Sequence, residues 1–98
     1  MGNSVKSAQF LIESRLRDAA RGNTRALYEL GMIYSTGSGG GAIDLVEAHK
    51  WFNLAAVAGN EEAQLCRAEI AEDMTAREIA IAQRAARDWL SLTDRRAA

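Results

Sequence analysis

The chain has no proline, one cysteine and one histidine, and aromatic residues make up 6% of it. Proline is the costliest residue inside a helix and alanine the least costly. With none of the first and nineteen of the second, the composition favours helices. A single cysteine excludes a disulfide framework within the chain. One cysteine with one histidine also excludes an ordinary Cys/His zinc cluster, and no cofactor is expected. Charge of one sign is lacking too: 12 basic residues stand against 13 acidic ones, a net charge of −1. A protein that tracks phosphates normally carries a basic surplus or stripe, so nucleic acid is not expected as a partner. No run of eighteen apolar residues occurs, so no bilayer span and no membrane partner are expected. Met1 to Ser7 are polar and lack the basic-then-apolar order of a signal peptide, which makes the cytoplasm the expected compartment.

What is present is enough apolar material for a core. The 98 residues are 48% hydrophobic and 26% charged, which fits one small domain spanning 1–98, or a piece of a larger array. Five helical segments follow from punctuation and period. The first runs from about Val5 to Arg21, where Val5, Ala8, Ile12, Leu16 and Ala19 form a stripe at three- or four-residue spacing. Lys6, Glu13, Arg17 and Arg21 fall off that stripe. Gly22-Asn23 ends this segment and offers a cap for the next. The second runs from about Thr24 to Ser35, with Ala26, Leu27, Leu30, Gly31 and Tyr34 inward. Glycine costs a helix about 1 kcal/mol against alanine, so Gly31 is expected where two helices approach too closely for a side chain.

Thr36 to Ala42 is a glycine-rich loop. Asp44 with Glu47 then forms an acidic capping box, opening a third helix that ends near Ala58. Its apolar face is Leu45, Ala48, Trp51, Phe52, Ala55 and Ala58. The fourth helix runs from about Glu61 to Ala71, with Glu61 and Glu62 placed to suit the helix dipole. Thr75 with Glu78 is a second capping box, opening a fifth helix that reaches about Leu90 to Ser91. One of its faces holds Ile79, Ala82, Ala86 and Trp89, and a second holds Ile81, Ala85 and Leu92. Thr93 to Ala98 is expected to fray.

An offset of 37 residues aligns Ala19 with Ala56, Gly22 with Gly59, Asn23 with Asn60, Ala26 with Ala63 and Ile33 with Ile70. Both sites read helix, Gly-Asn, helix, the mark of a helix-turn-helix unit repeated along a solenoid. The stretch from Ala26-Leu27-Tyr28-Glu29-Leu30-Gly31 through Tyr34 and Gly37 carries a family resemblance. So does the stretch from Asp44 through Glu47-Ala48, Trp51-Phe52 and Ala55-Ala56 to Gly59. Together they resemble one repeat of the Sel-1-like repeat family, bacterial type, within the tetratricopeptide-repeat superfamily. Glu47 stands where the family pattern has lysine and Phe52 where it has tyrosine, and the glycine loop is one residue longer. Arg67-Ala68 replaces the Leu-Gly of the next half-repeat. The resemblance covers Ala19 to Ala71, with one near-complete repeat over 24–60, partial repeats on either side and a capping helix over 75–91.

The resemblance implies an all-α fold, an α-α superhelix of antiparallel helix pairs. It also implies a protein-binding scaffold without chemistry of its own, an adaptor or regulator whose partner is another protein or peptide. In such solenoids the first helix of each pair lines the concave side. That places Arg25, Tyr28 and Met32 beside Glu62, Leu65 and Glu69 as the expected protein-binding face. For Tyr28 and Met32 the alternative is packing under the first or fifth helix. Two repeats at most are fewer than the three usually needed, so exposed ends could drive self-association. The rival functions are a homo-oligomeric structural protein, or a small helical enzyme or enzyme subunit.

Chemistry finds little support in the residues. His49 has no serine or cysteine in a nucleophile motif to serve, and a partly exposed helix position is expected. Cys66 reads as a half-buried small hydrophobe. The glycine loop lacks the Gly-Lys-Ser/Thr ending of a phosphate cradle and leads into Asp44, so it reads as a flexible connector. Glu61, Glu62, Glu69, Glu72 and Asp73 read as a solvated acidic face, balanced by Arg77, Arg84, Arg87, Arg95 and Arg96.

Overall fold

In the computed structural model the described residues are 3–97, with side chains described over 7–93. The side chains of Val5, Lys6, Arg95 and Arg96 lie outside the described residues. Five helices are present: α1 (Asn3–Ala20), α2 (Thr24–Thr36), α3 (Leu45–Val57), α4 (Glu61–Ala71) and α5 (Ala76–Ala97). No strand occurs among the described residues, and the fold is all-α, built from helical hairpins. α5 runs past Thr93, where fraying is expected, because no glycine or proline interrupts the pattern after Leu90.

The two Gly-Asn junctions adopt the same geometry. Gly22 and Gly59 are left-handed, at φ 88° and 106°. Asn23 N–H reaches back to Asp18 O at 3.1 Å, and Asn60 N–H to Ala55 O at 3.0 Å. Each asparagine side chain then accepts from the N–H three residues on, Ala26 at 3.0 Å and Ala63 at 2.9 Å. The chain thus ends one helix, turns and caps the next within two residues. The Thr75–Glu78 capping box forms in both directions, with Glu78 N–H donating to Thr75 at 3.1 Å and Thr75 N–H to the Glu78 carboxylate at 2.8 Å. At the other only half forms: Glu47 N–H donates to Asp44 at 3.1 Å, while Asp44 N–H donates to Tyr34 O and the Glu47 carboxylate accepts from Lys50 and Trp51.

α3 is the hub, packed by α2, α4 and α5, while α1 lies against α2. Its Trp51 and Phe52 are 1% exposed, and Ala48 and Ala55 are fully buried. Phe52 sits directly over Gly31 of α2, so the expected close approach is real. Trp89 of α5 meets Trp51 edge-on, with centroids 4.8 Å apart at 76°. α5 rests on α3 and scarcely touches α4. The glycine loop is not a loose connector: Gly39 packs against Ile12 of α1 and Ile33 of α2 so closely that a Cβ would collide with Ile33. No helix is long and apolar enough to cross a membrane, among the described residues.

Candidate functional site

α2 and α4 both use one face against α3, which leaves their remaining faces side by side. Tyr28 bridges them. Its half-buried ring lies 5.9 Å from that of Phe52, tilted by 51°, and its hydroxyl faces Cys66 and Glu62. Burial pushes the phenol up, and nearby Cys66 and Glu62 push it further, so Tyr28 stays protonated and able to donate. The Cys66 thiol is also pushed up, first by burial and then by Glu69, with the nearby Tyr28 hydroxyl acting against them. A thiol held protonated is a weak nucleophile, which fits the half-buried hydrophobe expected of it.

The expected face is therefore assembled in part. Tyr28 and Glu62 come together across the two helices. Met32 and Leu65 reach the surface, at 36% and 67% exposure. Glu69 is exposed on the same helix. Arg25 instead pairs along its own helix with Glu29, at 3.3 Å, and Glu29 also binds Arg15 of α1. Sequence reasoning missed Cys66 as the third member of the Tyr28 cluster. Its spacing of four from Glu62 is the signal that places both on one edge of α4.

His49 corrects an expectation. It is 3% exposed rather than partly exposed, and its Nδ1 has no hydrogen-bond partner. Burial lowers its pKa below the ordinary value of 6.5, and Arg67 of α4 lowers it further. Arg67 is itself held by a hydrogen bond to Asn53 of α3. A neutral imidazole with no carboxylate or hydroxyl on Nδ1 lacks the orienting partner a general base requires. Among the described residues, no three His, Cys, Asp or Glu side chains gather as a metal-ligand group.

Several of the loop's amides are engaged within the loop and its flanking helix ends. Gly37 N–H binds Ile33 O, Ser38 N–H binds Thr36 Oγ1, Gly40 N–H binds Gly37 O and Asp44 N–H binds Tyr34 O. An apolar groove of about 330 Å³ opens elsewhere, where Ala19, Leu27, Leu54, Val57, Trp89 and Leu90 meet. No family model, curated protein or solved structure matches the chain.

Proposed function

We propose that the chain is a short Sel-1-like repeat module of bacterial type that binds another protein or peptide and works as an adaptor, scaffold or regulator, without catalysis. The observation that carries this reading is the α2–α4 face, where Tyr28 is held between Phe52, Cys66 and Glu62 while Met32 and Leu65 stand exposed beside it. A pre-positioned tyrosine with adaptable apolar neighbours and a charged rim is the composition of a protein contact. The paired Gly-Asn junctions, alike in hydrogen bonding and backbone angles, support the repeat.

The test is affinity capture from the native extract with the chain and with its Tyr28→Ala/Met32→Ala double variant. A specific protein held by the first and lost by the second, with unchanged circular dichroism, supports the reading. Equal retention by both removes the face from consideration. Small-molecule turnover by the pure chain overturns the non-catalytic part. A cytoplasmic setting belongs to the same proposal and is checked by fractionating the producing cells.

A further inference from the structure

The exposed charges of the last two helices are largely sorted by sign. α4 and the link after it expose Glu61, Glu62, Glu69, Glu72 and Asp73, whereas α5 exposes Arg77, Arg84 and Arg87, with Asp88 as an exposed acid after them. Ion pairs among the described residues join Arg15 and Arg25 to Glu29 and Lys50 to Glu47, and they leave all of these groups unneutralised. Each charged face also carries an exposed aliphatic side chain, Leu65 on α4 at 67% and Ile81 on α5 at 52%.

The pattern is one of matching halves. Glu62 leans toward Tyr28, so the outer edge of α4, opposite buried Ala63, carries Glu61, Leu65, Ala68 and Glu72 at spacings of four, three and four residues. α5 presents Arg77, Ile81 and Arg84 at four and three residues, on the side away from buried Ala82 and Ala86, and Asp88 ends this basic stretch four residues on. Arg77, Arg84 and Arg87, with Ala80, Ile81 and Gln83, line a shallow depression of about 400 Å³. Since α5 scarcely touches α4, neither face is covered by the other within one chain.

We propose that the chain self-associates, with the acidic α4 edge of one copy seated on the basic α5 edge of another and Leu65 entering the depression beside Ile81. The occupant is a second copy because one chain carries both signs on similarly spaced edges and leaves both unpaired. Like charges facing each other across α4–α4 or α5–α5 contacts would repel, which directs α4 onto α5. Leu65 is shared with the α2–α4 partner face, whereas Tyr28 and Met32 belong to that face alone, so the charge reversals test this contact and the Tyr28/Met32 variant tests the other.

Sedimentation velocity over a concentration series tests it, on the full chain and on two charge-reversed variants, Glu61→Lys/Glu72→Lys and Arg77→Glu/Arg84→Glu. The unmodified chain is expected to associate at low salt, with the association constant falling at least about tenfold at high salt as the charges are screened. Each variant alone is expected to be monomeric, and an equimolar mixture of the two to associate again. A chain that stays monomeric at millimolar concentration and low salt overturns the proposal. So does association that survives both reversals, or a mixture that stays monomeric while both variants keep their helical circular dichroism. Should a variant lose that helical signal, the salt series on the unmodified chain decides: salt-sensitive association supports the contact and salt-independent association overturns it.

Discussion

Gly31 and His49 show how a single position in a small core is decided by its neighbour. A Cβ at Gly31 would lie 2.5 Å from Cε1 and 2.9 Å from Cγ of Phe52. Phe52 is 1% exposed and has little room to swing away. Alanine gains about 1 kcal/mol of helix propensity, while overpacking a core costs about 1–3 kcal/mol. Contacts this short select the upper part of the overpacking range, so we expect Gly31→Ala to destabilise the fold by about 1–2 kcal/mol net, read as a lower urea midpoint. His49 makes the second residue-scale prediction. Its folded pKa is below 6.5, so the unfolded chain binds the proton more readily. Stability from keeping it neutral is complete above pH 6.5 and falls as the pH drops below that value, levelling once the folded value is passed. It is the chain's one histidine. His49→Leu leaves no polar partner behind, because Nδ1 has none. Urea unfolding across this range should therefore slope with pH in the unmodified chain and be flat in His49→Leu.

At the scale of elements, the local signals were the legible ones. The bounds of α4 follow from its sequence, because Asn60 marks its start and the Asp73-Met74 break before Thr75 its end. α3 is equally legible from Asp44 and Gly59. What escaped the sequence depends on contacts between distant segments. The glycine loop has no local reason to be ordered, yet Ile12 from α1 holds Gly39 in place. Trp89 reads as one more apolar residue on α5, and its edge-on contact with Trp51 depends on where α5 lies. The Tyr28–Glu62–Cys66 cluster likewise needs α2 and α4 side by side, so sequence could name Tyr28 and Glu62 but not join them. α4 is the weakest of the inner helices, with Ala63 as its buried residue. Its N-cap therefore matters: Asn60→Ala removes the acceptor for Ala63 N–H and should cost about 1 kcal/mol, whereas Asn60→Asp keeps an acceptor and should cost much less. Parallel urea titrations of the two variants check this.

For the whole molecule, the arrangement around α3 sets the order in which parts open. The described chain measures 37 × 36 × 22 Å, a slab about two helices thick. Within it α3 is covered by α2, α4 and α5, and it supplies the large buried side chains Trp51 and Phe52. Opening α3 exposes those rings and uncovers three neighbours, so its amides should exchange only through global unfolding. α1 rests on α2, and its Phe10 and Leu11 stay 66% and 37% exposed. Little apolar area is therefore lost when its first turns open, and they should open locally at far lower cost. Gly31 of α2 lies against Phe52 of α3 and Leu30 is fully buried, so α2 should remain protected when α1 has opened. Native-state hydrogen exchange in increasing urea is expected to rank the amides with the first half of α1 fastest, α2 slower and α3 slowest. Protection in the first half of α1 equal to that of α3 would show that the fold opens as one unit and that α3 is not its centre.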